Sequence, residues 1–208
     1  MESIGSGNPV QRRPGGRTAK TTARVNAAVI ALLAEEGLES CTMPNVAVRA
    51  GVERSTLYRR YPDRWAMIID AIAEKAEELV TSSNQGGFVL DLATVLRKLA
   101  ALLETPIGPA LMMVAAAIRA SGSPDYAQRF WGARVQQLQP MFDAAVDRGE
   151  IRSDVDVEEA FALAAGPIYF RTFISRKPVD AAFIATIVAS VQKRYSAGRG
   201  PENDEFPA

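Results

Sequence analysis

Residues 43–64, "MPNVAVRAGVERSTLYRRYPDR", decide how this chain folds. Pro44 is tolerated only in the first turn of a helix, and Thr42 ahead of it supplies an N-cap hydroxyl. That helix is short, because Gly51 stands where a turn needs positive φ, which glycine adopts at no steric cost. A second short helix runs through Tyr61, and Pro62-Asp63 opens a longer one from about Arg64 to Val80. Val46, Val52 and Leu57 are spaced to turn inward, and Ala47 is small where the following helix must come close. This is the spacing of a helix-turn-helix, whose second helix lies in a DNA major groove.

The outward face follows from the inward one. With Leu57 buried, Arg54, Ser55, Thr56, Tyr58 and Arg59 are left to project from the helix start and its exposed flank. Arginine can grip O6 and N7 of guanine bidentately, and threonine can meet a thymine methyl or donate to phosphate. One such bidentate contact is worth about 1–3 kcal/mol of base discrimination. The plainer readings are solvated surface charge for Arg54 and Arg59, and core packing for Tyr58.

Outward from this stretch the chain reads as helix. Before it, Val25, Ala28, Val29, Leu32 and Leu33 recur at helical spacing between Thr18 and Glu36, and Gly37 ends that helix. Residues 1–17, rich in Gly, Pro and Arg, read as a flexible basic arm. A polar break, "TSSNQGG" at 81–87, precedes helical stretches at 88–103, 107–121, 124–148, 156–175 and 180–195. Nothing alternates with period two, so the expected fold is all-α, with about nine helices and no strands. The expected organisation is an arm (1–17), a DNA-binding domain (18–64), a linking helix (about 64–80), a ligand and dimerisation domain within 65–195, and a disordered tail (196–208).

Composition narrows the function. The chain has 208 residues, 48% apolar and 23% charged, ordinary for a soluble protein with a real core. It has no histidine and one cysteine, which removes Ser-His and Cys-His nucleophiles, His-ligated metals and a thiolate zinc site within one chain. Cys41 reads as a small core filler, and a lone cysteine fits a reducing cytoplasm. The densest apolar run, "ALMMVAAAI" (110–118), is too short to span a bilayer, and Gly5, Gly7 and Pro9 stand where a signal peptide would be apolar. Net charge is zero, yet residues 1–62 carry nine basic residues against five acidic ones. A basic end on an acidic body points to a polyanionic partner at that end.

The stretch from Lys20 to about Val80 resembles the DNA-binding domain of the TetR family of bacterial transcriptional regulators. The likeness is carried by "TMPNVAVRAGVERSTLYRRYPDR", with Ala-x-x-x-Gly-Val and Thr-Leu-Tyr in register. It implies that Thr42 meets phosphate and that Thr56 and Tyr58 reach backbone or bases. Arg64, where the family usually has lysine, would hold a further phosphate. Lys20 and Arg24 would reach backbone from the first helix, and Arg12, Arg13 and Arg17 could enter a minor groove. Glu53 departs from a frequent serine or threonine cap; its charge suits a helix N-terminus but repels a nearby phosphate. Arg60 replaces a common histidine and Tyr61 a common phenylalanine, which keeps or raises the positive charge. The expected DNA-facing set is therefore Lys20, Arg24, Thr42, Arg54, Ser55, Thr56, Tyr58, Arg59, Arg60, Tyr61 and Arg64.

In the second half, "AAGPIYFRTFI" (164–174) resembles a C-terminal domain subgroup of the same family. Gly166-Pro167 should kink its helix. Arg171 needs an Asp or Glu partner there, or meets an acidic ligand. The last two helices carry apolar stripes that usually mean core; the resemblance implies a twofold four-helix interface. The expected interface residues are Phe161, Ile168, Phe183, Ile184, Ile187, Val188 and Val191. Met112, Met113, Phe130, Trp131, Phe142, Tyr169 and Phe173 are the candidates for an adaptable apolar effector pocket, and suit an ordinary core equally. The expectation is a cytoplasmic homodimeric regulator, most simply a repressor released from its operator by a small organic effector, with no cofactor, metal or membrane involved. The rivals are a ligand-independent architectural DNA binder, and an all-helical enzyme or lipid carrier, for which no catalytic constellation is visible.

Overall fold

Helix α1 (Arg17–Glu35) forms because Val25, Ala28, Val29, Leu32 and Leu33 share one face, and all five are buried in the computed structural model, which describes residues 17–80, 86–120 and 124–198. Gly37, at φ +82°, turns the chain out of it into a single 3-10 turn, Leu38–Ser40. Thr42 then caps α2 (Met43–Ala50), its hydroxyl accepting the Asn45 N–H at 3.3 Å. Gly51 ends α2 in the left-handed region, at φ 60° and ψ 45°. Helix α3 (Arg54–Arg60) follows, then α4 (Arg64–Val80), whose first turn is capped by the Asp63 carboxylate accepting the Trp65 and Ala66 N–H groups at 2.8 and 3.0 Å.

The remaining helices are α5 (Phe88–Glu104), α6 (Ile107–Ala120), α7 (Pro124–Asp147), α8 (Val157–Tyr169) and α9 (Ala181–Tyr195). Asp156 and Asp180 cap α8 and α9, accepting from Glu159 N–H at 3.0 Å and Phe183 N–H at 2.8 Å. α5 and α6 meet at 93°. Gly108 allows that corner, because a Cβ there would lie 2.0 Å from the Leu103 carbonyl oxygen. Helix α4 packs on α1 along one side and on α7 along the other, so one core runs through the molecule. Among the described residues there is no strand beyond an isolated antiparallel bridge, Ile151 to Ser196, which pins the end of α9 to the α7–α8 loop. No single described helix is long and apolar enough to cross a membrane.

The all-α architecture matches the sequence expectation, with most helix ends within one residue. Several details differ. Arg17 is the first residue of α1 rather than part of an arm. α8 continues through Pro167 to Tyr169, and the chain then widens into π-type turns over Phe170–Ser175; a proline has no N–H for the helical ladder, and such turns accommodate the lost register. Arg171 was expected to pair with an Asp or Glu; among the described residues it instead donates to the Pro178 carbonyl at 2.8 Å and lies 3.6 Å over the Phe183 ring. The expected interface stripe is the protomer's own core, since Phe161, Ile168, Ile184, Ile187, Val188 and Val191 are all buried and Phe183 sits half-buried under Arg171. Their periodicity is the same for either destination, which is why spacing alone misassigned them. The arm at 1–16 with Arg12 and Arg13, the break at 81–85 and the tail from 199 lie outside the described residues.

Candidate nucleic-acid interface

The geometry of α3 follows from one buried leucine. Leu57 is 1% exposed and packs with Val46 and Ala47 of α2, while Val52 is partly buried against the same core. Anchoring the inner face orients the outer one. Arg54, Ser55, Tyr58 and Arg59 stand exposed along α3, with Tyr58 57% exposed, and Thr56 sits half-buried at the rim. An exposed tyrosine beside two arginines presents stacking surface, a hydroxyl donor and positive charge together. Glu53 occupies the N-cap position with extended backbone, and its side chain makes no capping hydrogen bond.

The scaffold behind α3 is held by charged side chains, one of which, Arg24, was expected to face DNA. Arg24 reaches from α1 to donate to the Gly51 carbonyl at 2.8 Å, so it ties α1 to the turn between α2 and α3. Arg49 clamps α2 to the end of α1 through Glu35 and Glu36, at 2.5 and 3.5 Å. Lys20 is exposed on α1, and Thr42 is half-buried with its hydroxyl engaged in the cap. Arg64 opens α4 half-buried, its guanidinium 4.6 Å over the Trp65 ring, which pre-orients it at the helix start.

Tyr61 departs most from expectation. Its ring is 5% exposed, and its hydroxyl donates to Asp70 of α4 at 2.9 Å while accepting from Arg60 Nε at 3.1 Å. Arg60 also approaches Asp70 at 3.8 Å. Tyr61 is therefore removed from the DNA-facing set: it pins the end of α3 to α4, and Arg60 is partly engaged in the same link. Burial, reinforced by the Asp70 charge, pushes the Tyr61 hydroxyl up to about 12. The signal missed was Asp70, nine residues on and one helix away, which no local pattern associates with Tyr61.

The expected effector residues do not converge. Met112 and Met113 lie exposed on α6, and Phe142 is buried edge-on against Phe88, 5.2 Å between ring centroids. The Phe130 side chain lies outside the described residues. Tyr169 and Phe173 stack on each other, and Trp131 flanks a residue not anticipated. Arg134, 8% exposed, lies 5.5 Å from the Trp131 ring and within electrostatic reach of Tyr169, which stacks on Phe173 at 6.3 Å. Burial lowers the Arg134 pKa and raises that of Tyr169. Next to Arg134 is a void of about 10 Å³ among Ile72, Leu102, Ile107 and Leu111, room for about one water. Among the described residues, no cluster of three or more acidic or cysteine side chains could hold a metal ion.

Comparison with known proteins bears on both halves. Residues 26–71 match the family described as bacterial regulatory proteins, tetR family, and residues 83–191 match the tetracyclin repressor-like C-terminal domain. The HTH-type transcriptional regulator YdeS of Bacillus subtilis is 26% identical over 174 residues, 83% of this chain and 88% of its own. AqdR of Rhodococcus erythropolis, also an HTH-type transcriptional regulator, is 30% identical over 141 residues, 67% of this chain and 68% of its own. Among solved structures, the TetR family transcription regulator SCO0332 superposes with a TM-score of 0.68 at 29% identity, covering 84% of this chain and 97% of its own. A TetR regulator from Rhodococcus sp. RHA1 shares the fold, with a TM-score of 0.61 at 19% identity over 86% of this chain and 96% of its own. With matched N-terminal and C-terminal domains and a helix-turn-helix built around Gly51, this chain belongs to the TetR family of HTH-type transcriptional regulators.

Proposed function

We propose that this regulator binds its operator as a homodimer through α3, and that a small, mostly apolar effector releases it, making it a repressor. The observation that carries the first part is the two-sided character of α3, with Leu57 buried and Arg54, Ser55, Tyr58 and Arg59 exposed on the other side. In this reading Arg54, at the helix start, reads a base edge, and Tyr58 and Arg59 hold backbone phosphate. Lys20, Arg64 and the rim residues Thr42 and Thr56 extend the phosphate track. α1–α3 form the DNA-binding unit, α4 links it to the rest, and α5–α9 carry dimer and effector functions.

The dimer face differs from the one expected from spacing. Leu163, Phe170 and Ile174 are 45%, 58% and 69% exposed, and α9 presents Ala182, Ala185 and Ala189 outward. Large apolar groups beside small ones, left uncovered on two neighbouring helices, suit a close-packed twofold contact. The effector reading is supported by the C-terminal family match and by the Trp131–Arg134–Tyr169–Phe173 string, whose polar groups are already desolvated. Moving occupancy from 99:1 to 1:99 asks about 5.5 kcal/mol of preference for the released state.

Two substitutions test the assignment of roles. Arg54→Ala should relax preference at one base pair, whereas Arg59→Ala should weaken binding to all sequences alike and flatten the log–log salt slope by about 0.9. Binding measured against operator variants across a salt series separates them. An even loss for Arg54→Ala, or an unchanged slope for Arg59→Ala, would remove that residue from its role.

A further inference from the structure

The exposed stripe along α8 and the π-type turns after it is polarised from end to end. Leu163, Phe170 and Ile174 form its apolar middle. Ahead of them the first turn of α8 exposes Glu158 and Glu159, and beyond them Arg176 and Lys177 stand exposed. Part of this charge is already engaged. Glu159 holds Arg194 of α9 at 3.0 Å, and Asp180, close to the basic end in sequence, accepts the Phe183 N–H as the cap of α9. Glu158, Arg176 and Lys177 make no ion pair among the described residues. Compensation of the helix dipole accounts for an acidic start and a basic end. It does not ask for the backbone of Arg176, which at φ 52° and ψ 38° occupies the left-handed region that favours glycine.

The stripe is also symmetric about its centre. Leu163 lies three residues before Gly166, and Phe170 lies three after Pro167. Glu158 and Arg176 stand eight residues before and nine after the same Gly166-Pro167 step, each about 12 Å away at roughly 1.5 Å per residue. The step itself is bare. Glycine spares the helix a clash with the Pro167 ring, and a Cβ at Gly166 would meet nothing else within 4 Å outside its own helix. A twofold axis through this point turns the stripe end for end. It lays Leu163 on the partner's Phe170, and Glu158 on the partner's Arg176 and Lys177. A parallel mate would instead set glutamate against glutamate and arginine against arginine.

We propose that a second copy of this chain docks with its α8 antiparallel, the axis passing at Gly166-Pro167, and that the pairing of Glu158 with the partner's Arg176 and Lys177 fixes this register and selects self from other chains. The pairing rests on the homodimer reading above and adds to it the alignment and the means of discrimination. Exposed charge contributes little to affinity and more to register and partner choice, because a mismatched partner meets repulsion at both ends of the twofold.

The test uses the full-length chain without DNA, at low ionic strength, where exposed charges are least screened. Sedimentation equilibrium gives the dimer affinity, and native mass spectrometry of 15N-labelled with unlabelled protein gives subunit exchange. Glu158→Lys should weaken the dimer about tenfold, since repulsion enters at two symmetric contacts at once. Adding Arg176→Glu and Lys177→Glu to Glu158→Lys reverses the whole code and should restore the wild-type affinity, which a merely structural loss at Glu158 would not allow. The reversed variant and the wild type should then each pair with themselves and scarcely with each other. A parallel register predicts the opposite, with mixed dimers favoured. A wild-type dimer whose affinity ignores Glu158→Lys, a reversed variant that stays weak, or mixed dimers at or above the random share would each overturn the pairing and leave the homodimer standing. A wild-type chain that sediments as a monomer would remove the homodimer and the pairing with it.

Discussion

At the scale of single residues, side chains of one chemical type have been put to opposite uses within a few positions. Tyr58 is exposed and uncommitted to the core, while Tyr61, one helical turn on, is buried and bonded to Asp70. Arg59 is free to face a polyanion, while Arg24 holds a backbone carbonyl and Arg49 holds two glutamates. Burial leaves a measurable trace in pH. The Tyr61 hydroxyl and the Cys41 thiol are both raised to about 12, mainly by desolvation, from ordinary values of 10.0 and 9.0. A group whose folded pKa exceeds its unfolded value stabilises the fold fully below the unfolded value and loses that contribution as pH climbs towards the folded one. The urea midpoint should therefore hold up to about pH 9 and fall between pH 9 and 12. Cys41→Ala should move the onset up towards pH 10. A midpoint flat across that window would mean that neither group is as buried as described.

At the scale of elements, helix boundaries were legible because their chemistry is local. Thr42, Asp156 and Asp180 cap the residues immediately after them, and Gly51 turns the chain where it stands. The α3–α4 link was not legible, because Asp70 belongs to another element and nothing near Tyr61 announces it. Nor was the destination of the α8 and α9 stripes, since a stripe at helical spacing looks alike whether it meets its own protomer or a partner. The aromatic residues proposed for an effector pocket were chosen by type, and type does not say that Phe142 would lie against Phe88 instead. Tyr61→Phe isolates the link between elements. It should cost about 0.5–1.5 kcal/mol in urea unfolding, the usual net worth of one hydrogen bond. It should also weaken operator binding while leaving the salt slope unchanged, because α3 loses its anchor but no phosphate contact. Weakened operator binding with the unfolding stability unchanged would return Tyr61 to the DNA-facing set.

At the scale of the whole molecule, a helix-turn-helix with exposed arginines is joined to a helical body with an uncovered apolar face. Phe170→Asp and Ile174→Asp place a charge in that face without disturbing the core, since both positions are exposed. Sedimentation should show the wild-type protein as a dimer and the double variant as a folded monomer; a wild-type dimer that survives both changes would put the interface elsewhere. Fluorescence anisotropy with labelled DNA from upstream of the protein's own coding sequence, across a salt series, shows whether α3 reads an operator. Tight binding to one palindromic segment is expected, with half-sites about 34–36 Å apart as a twofold pair of recognition helices requires, and far weaker binding to random duplex. No binding even at low salt would contradict the reading of α3 as a DNA-binding helix.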